Sequence, residues 1–445
     1  MVESGETSLP PSDAAPRRPG WARVAWFIGR APGHVTAHQW RVLGLVSLVS
    51  LFDQYDVYLF SLNLKHIQAD LGLAEASLGW LGGFIRAGTL LAVLVTLAAD
   101  RVGRRRVLLV TVVAYTALTG ATAFAPNTET FVALQFASRI FAAAESQLAV
   151  VVIAEEFGPA NRGWAIGALG AVQACGSGLA ALFFAFVGVL PFGWRSLYLV
   201  GLVPLGLVAW WRREMPETAR FASLARDPRF GLGSRGALAP LVGLVRDHPG
   251  RILAVAVASF AFSFAQAPAL FFAPKYLQDV HGWNPGGVAA LNLIGGAVAI
   301  VANPLGGRLS DRIGRRPVMI GFALAWVVFA ITFYRVGGPA VALVWASMLF
   351  ATFGLDTTLS ASSVELFPTS QRSTASGGRS LVSGLGAVAG LAAVSLLYER
   401  LQSNWLAITA IALAVLAIPP VVAAFFPETA QRALEEVAPE REPGF

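Results

Sequence analysis

The chain has 445 residues, 56% hydrophobic and 13% charged, with a mean hydropathy of +0.62. A soluble chain carries about a quarter charged residues, so an ordinary soluble protein is excluded as the first reading and an integral membrane protein takes its place. The formal charge of +7 raises nucleic acid as a partner, but the arginines follow the ends of apolar runs, a pattern set by membrane topology, and no nucleic-acid partner is expected.

Residues 1–41 are polar and Pro-rich. They hold no apolar core ahead of a small-residue cleavage site, so they read as a tail rather than a signal peptide. A membrane-spanning helix needs about 20 mostly apolar residues. Six runs meet that need over 42–64, 77–99, 107–125, 131–154, 164–190 and 196–211, and form a bundle over 42–211. A basic linker follows over 212–251, where "RREMPETARFASLARDPRF" has the pattern of a surface amphipathic helix. Six more runs, over 252–274, 287–307, 317–334, 340–364, 374–398 and 405–425, form a second bundle, and 426–445 is a second tail. The runs are continuously apolar rather than alternating, so helices and not barrel strands are predicted. The expected fold class is an all-α membrane protein with twelve transmembrane helices in two six-helix bundles.

Of the 33 Lys and Arg, 26 fall in the tails and in loops on one side. Lys65, Arg195, Lys275, Arg335 and Arg400 fall on the other. The bias predicts both termini in the cytoplasm of an inner, or plasma, membrane, in contact with the lipid bilayer. The lone Cys175 excludes an internal disulfide. His34, His38, His66, His248 and His281 lie in the tail, in loops or near helix ends. No metal site or cofactor is expected.

Charge inside a span costs at least ~2.5–3.5 kcal/mol at the bilayer centre and marks function by default. The candidates are Asp53 and Asp56 in span 1, Arg86 in span 2, Arg139 and Glu145 in span 4, and Asp356 in span 10. At about 1.5 Å per residue, Asp53, Asp56, Arg86 and Arg139 fall roughly 17–23 Å from the cytoplasmic helix ends, and Glu145 and Asp356 roughly 12–14 Å. Spans 3, 6, 9 and 12 carry no interior charge. Two acids one turn apart cannot both ionise cheaply in a low dielectric, so the pair is suited to hold and release a proton. Sodium binding by the pair, or its neutralisation by Arg86 and Arg139, are the alternatives. An arginine not consumed by Asp can hold a substrate carboxylate in a bidentate contact. Gln173, Gln266 and Asn292 are neutral hydrogen-bonders that could contact substrate or satisfy helix backbone.

The two halves repeat. "ADRVGRRRV" around Asp100 returns as "SDRIGRRPV" around Asp311, "EEFGPANR" as "ELFPTSQR", and "MPETAR" as "FPETAQR". Trp194 returns as Trp405, and Lys65-x-x-Gln68 as Lys275-x-x-Gln278. Every offset is 210 or 211 residues. The repeat carries the scaffold and not the span-1 charge, because Asp53 and Asp56 correspond to Ser263 and Gln266. Six helices per half place the halves in the same orientation about an axis along the membrane normal.

These motifs resemble the major facilitator superfamily over about residues 40–432. "GGRLSDRIGRRP" fits the loop motif of that family fully. In the first copy Thr96 replaces a glycine, which implies looser packing there. "PETAR", "PETAQR" and "ELFPTSQR" are similar to the sugar and metabolite:proton symporter branches, and the Asp-x-x-Asp pair to aromatic-acid:proton symporters, with Gln54 where those have Gly. Arg139 matches the family's span-4 arginine, which is linked to proton movement, with Ala143 in place of a Gly. Span 5 lacks the Gly-Pro pair of the drug-efflux branch. The resemblance implies a gating latch in which Asp100, Arg101, Arg104, Glu155 and Arg162 in one half, and Asp311, Arg312, Arg315, Glu365 and Arg372 in the other, pair and separate between states. The alternative for these charges is a static surface network.

The expected function is proton-coupled symport of a small organic solute by a monomer through alternating access. An organic or aromatic carboxylate is expected first, and a sugar second. Asp53, Asp56, Glu145 and Asp356 would couple protons. Arg86, Arg139, Gln173, Gln266 and Asn292 would bind substrate. A proton-driven drug antiporter and a non-transporting sensor are the rivals. No catalytic motif is present, and an enzyme is not expected.

Overall fold

Lipid offers no hydrogen bonds, so a spanning segment must satisfy its own backbone, and a helix does. The computed structural model describes residues 31, 33–212, 239–368 and 371–430. The proposed amphipathic helix lies outside them apart from Arg212, and so do the side chains of Asp100, Arg101 and Arg104. The described regular structure is helical throughout. The long helices are α1 (Ala37–Leu62), α3 (Leu78–Val102), α4 (Arg104–Thr122), α5 (Thr128–Glu156), α6 (Pro159–Phe184) and α7 (Trp194–Arg212) in the first half. In the second half they are α9 (Pro249–Asp279), α10 (Pro285–Ile313), α11 (Arg315–Phe333), α12 (Ala340–Glu365) and α13 (Arg372–Leu401). The twelfth span is α14 (Asn404–Ala412), a 3₁₀ turn and α15 (Ile418–Phe425). Short helices α2 (Leu64–Leu71) and α8 (Ala239–Asp247) extend α1 and precede α9.

Among the described residues ten of these spans are long and apolar enough to cross a membrane. The other two, α4 and α7, have 19 residues each, and α4 opens on three arginines. Every predicted span has its helix, and most run past the apolar window because capped polar turns project from the bilayer. Thr36 and Gln39 form a reciprocal capping box on α1. Asn127, Asn284 and Ser403 cap α5, α10 and α14 with side-chain oxygens.

The repeat reappears as packing. In the first half α1 meets α6 so closely that a Cβ on Gly176 would lie 1.9 Å from the Leu51 carbonyl oxygen. In the second half α9 meets α13 the same way, and a Cβ on Gly386 would lie 2.6 Å from the Phe260 oxygen. One turn on, Pro268 inside α9 has no N–H to give the Phe264 carbonyl. Gly390 packs on that oxygen with no room for a Cβ, which would stand 1.9 Å away.

The looser packing expected at Thr96 is not needed. Its counterpart Gly307 has no neighbour within 4 Å of a Cβ, and the close approach of α10 to α12 belongs to Gly306, 3.0 Å from Gly354 Cα. A side chain at the Thr96 position therefore displaces nothing.

Candidate functional site

A cavity of about 620 Å³ lies between the halves. Its wall comes from α1, α3, α5 and α6 on one side and from α9, α12 and α13 on the other. No residue of spans 3, 6, 9 or 12 lines it, as their lack of interior charge implies. An apolar groove of about 680 Å³ lies between α10, α11 and α12, but Ser347 is its one polar lining side chain, so it offers no charge chemistry.

Span 1 carries its acids into this wall because the surrounding helix is apolar and the carboxylates have nowhere cheaper to go. Asp53 lines the cavity, 3.9 Å from the Arg139 guanidinium of α5. Asp56, one turn on, is 2% exposed and lies behind the wall, in the electrostatic surroundings of Tyr55, Tyr115 and Tyr198. One oxygen of each carboxyl receives no hydrogen bond. Two of these tyrosine hydroxyls are spent on backbone, Tyr115 donating to Phe52 O at 2.9 Å and Tyr55 to Leu197 O at 2.8 Å, while that of Tyr198 has no hydrogen-bond partner among the described residues.

Arg86 of α3 is exposed to the cavity, and no carboxylate pairs with it among the described residues. Of the two arginines that the alternative reading would have neutralise the acids, Arg139 stands 3.9 Å from Asp53 and Arg86 pairs with neither among the described residues. Gln173 lines the cavity and donates to Ser146 Oγ at 3.0 Å. Gln266 lines it from α9. Asn292 is not in the wall and donates to its own helix at Val288 O, 2.9 Å away. Glu145 is fully buried and takes Thr111 Oγ1 from α4 at 2.6 Å. It faces the interior of its own half, away from the cavity.

Asp356 is in the wall, and its partner is Arg379 of α13, Nη1 to Oδ1 at 3.3 Å. Arg379 also donates to Ser360 Oγ at 3.3 Å, and its Nε has no partner. Arg379 is one of the 26 cations that the topology count places on the cytoplasmic side, although it stands five residues inside the predicted span 374–398.

The residues expected to gate lie at the arginine-rich end. Arg315 pairs with Asp311 at 2.7 Å and with Glu365 at 2.8 Å, joining α10, α11 and α12. Thr429 donates to the other Glu365 oxygen at 2.5 Å. Glu428 takes the first backbone N–H groups of α11, Arg315 N at 2.7 Å and Arg316 N at 3.2 Å, where a helix presents unsatisfied donors and partial positive charge. Burial works against ionising this carboxyl, but the N–H groups of Ala430, Arg315, Arg316 and Thr429 prevail and hold its pKa below the ordinary value. Arg372 donates to Phe367 O at 3.2 Å. Arg312 and Arg162 are exposed, and Glu155 is half-buried at the end of α5. The described cluster ties together helices of the second half only.

The opposite end of the cavity is closed across the halves. Ser61 donates to Phe271 O at 2.8 Å, and the Trp80 N–H donates to Ser395 Oγ at 3.0 Å. A Cβ on Gly79 would lie 2.4 Å from Leu391 O. The cavity is thus sealed near these residues and reaches toward the arginine-rich end, where Asp356 is exposed.

A family model described as "Major Facilitator Superfamily" matches residues 46–302 and 288–443. The chain is similar to a gallate transporter of Pseudomonas putida, 32% identical over 213 residues, which is 47% of this chain and 46% of that one. The matched stretch therefore spans just under half of that relative. A cis,cis-muconate transport protein of Acinetobacter baylyi is 24% identical over 82% of this chain and 89% of its own. Among solved structures, the inward-open conformation of the xylose transporter of E. coli has the same fold, with a TM-score of 0.71 at 18% identity over 90% of this chain and 99% of that one.

Proposed function

The chain belongs to the major facilitator superfamily, and from that premise we propose that it carries a small organic acid across a membrane by alternating access, in symport with a proton. One observation carries the reading. Arg86 projects into the cavity with no carboxylate partner among the described residues, while Asp53 stands in the same wall. A guanidinium with its fork unengaged is a carboxylate receptor. Tyr58, Phe262 and Phe271 line the same space and suit an unsaturated or aromatic acid, as do the names of the gallate and muconate transporters.

Asp53 is the proton carrier of this reading. It is reachable from the cavity, and a carboxyl oxygen with no donor can accept a proton. Arg139, 3.9 Å away, is close enough to favour the charged form and too far for a strong bond, so small helix shifts change the balance. Asp56 supports that field from behind the wall, and Asp356 with Arg379 forms a second charged station nearer the open end. Gln173 and Gln266 supply neutral hydrogen bonds. The Asp311–Arg315–Glu365 cluster keeps the second half rigid as the halves rock. The arginine-rich end faces the cytoplasm of an inner membrane, so the cavity opens inward.

Proteoliposomes loaded at different internal pH test the reading. Labelled gallate or muconate should accumulate against its gradient when the pH gradient points inward, and should not without it. Failure of every organic acid tried, with proton-driven export of a lipophilic cation, would replace the reading with antiport.

A further inference from the structure

Two lysines occur in the chain, Lys65 and Lys275. They are repeat equivalents, and neither the cavity nor the arginine clusters uses them. The structure brings both to one carboxylate. Lys65 Nζ lies 3.0 Å from Asp279 Oδ1 and donates to Gln278 O at 3.0 Å, across the seam between the halves. Lys275 pairs with the other oxygen of Asp279, one turn along its own helix, and crosses the seam to Glu75 Oε1 at 2.7 Å. Glu75 takes Asn404 Nδ2 at 2.8 Å and Gln68 Nε2 at 3.0 Å. The repeated glutamine Gln278 also crosses, donating to Leu62 O at 3.4 Å. The repeat supplies the lysines and not the acids, since Asp279 and Glu75 correspond to Ala69 and Pro285.

We propose that Lys65, Lys275, Glu75 and Asp279 are the lock that holds this end of the cavity shut, that they must part in each transport cycle, and that Asp279 is the residue on which the lock turns. Parting is feasible because of how the charges divide. Lys65 and Glu75 belong to one half, Lys275 and Asp279 to the other. When the seam opens, each half keeps one cation and one anion. Lys275 retains Asp279 at helical spacing, and Gln68 already bridges from the turn of Lys65 to Glu75. Neither half is left with net charge from the lock. The four are unequal, however. The Lys65 side chain is 42% exposed and that of Lys275 is 2% exposed. An exposed pair contributes little, whereas stripping the partner from a buried cation is strongly unfavourable. Asp279 serves both, so its loss sets two ammonium groups against each other.

The inference rests on the alternating-access reading for its place in a cycle, but the lock itself can be tested without substrate. In a C175S background, S61C puts a thiol just beneath the lock. Intact cells are labelled with a membrane-impermeant maleimide, and folding is checked by size exclusion. D279N should raise the labelling rate well over fivefold. D279E, which keeps the charge, should stay near the parent. K65Q should raise it by up to about fivefold, the most an exposed pair supports. Folded D279N labelled at the parent rate overturns the proposal. Should D279N not fold, E75Q decides, because it removes the partner that the buried Lys275 has across the seam, and labelling unchanged in E75Q overturns it. Should no acid be transported by the parent protein, the carboxylate reading falls and these labelling outcomes still judge the lock.

Discussion

Replacing Arg86 tests the carboxylate reading most directly. The guanidinium is exposed to the cavity and pairs with no acid among the described residues, so its substitution removes a ligand contact without orphaning a described buried charge. Hydrogen bonds to charged groups contribute about 1.5–3 kcal/mol, which is about tenfold to 150-fold in Kd. R86Q should fall toward the upper figure. R86K keeps the charge but loses the planar fork, and should fall near the lower one. Thermal shift of purified protein reads this without transport. At ligand 100 times the parent Kd, bound acid stabilises by about 2.7 kcal/mol, and a hundredfold weaker variant keeps about 0.4 kcal/mol. The acid-induced rise in Tm should nearly vanish in R86Q and be reduced in R86K, while the Tm without ligand stays close to the parent. A full acid-induced rise in both variants would refute the reasoning. An equal loss for a neutral amide analogue would show that Arg86 shapes the cavity and does not select charge.

D53N should lose accumulation driven by a pH gradient yet keep exchange of substrate across a membrane without one, because exchange needs no net proton release; gradient-driven accumulation at the parent level would move the carrier role to Asp56, Glu145 or Asp356. G390A should lower the Tm sharply, since overpacking costs about 1–3 kcal/mol and the new Cβ would stand 1.9 Å from Phe264 O, whereas G307A, with open space around it, should hold or raise the Tm; equal Tm values for the two would refute the packing argument. E428Q should be less stable than the parent at neutral pH. The Glu428 pKa is depressed by its backbone donors, so its contribution is full above the ordinary carboxylate value of about 4.3 and fades as pH falls through the lower folded value. Melting curves of both proteins from neutral to acid pH should therefore converge, and a constant gap would remove the helix-cap role.

The helices and their order were legible because a bilayer leaves the chain so little freedom. Each span must be long, apolar and self-bonded, and each buried charge must face protein or cavity. The charged spans accordingly line the cavity, apart from finer differences that helical spacing cannot resolve. Asp53 and Asp56 differ by only about 60° around α1, and the cavity edge passes between them, so one is wetted and the other buried. Glu145 turns inward because the preceding helix α4 offers Thr111, a partner that no local pattern announces.

The harder failures share one cause. The sequence reads Asp356 as a proton-coupling acid and not as half of an ion pair, because Arg379 counts as a topology cation, and it assigns the lysine repeat no role because its acids break the repeat. In both cases a partner that matters lies elsewhere in the fold, Arg379 for Asp356, Asp279 for Lys65 and Glu75 for Lys275, outside the periodicity that sequence reading exploits. Duplication explains why. The two halves share a scaffold, since the repeat equivalents Gly176 and Gly386 each pack on the backbone of their half's first span, at Leu51 and at Phe260. A device that acts between the halves cannot be the same on both sides, because a lysine facing its own repeat equivalent would repel it. The lock therefore needed acids that the ancestral repeat did not supply at those positions, and the cavity needed its acids and arginines unevenly shared. Asymmetry laid over the repeat is where function is to be sought in this chain, and Asp53, Arg86 and Asp279 all stand at such positions.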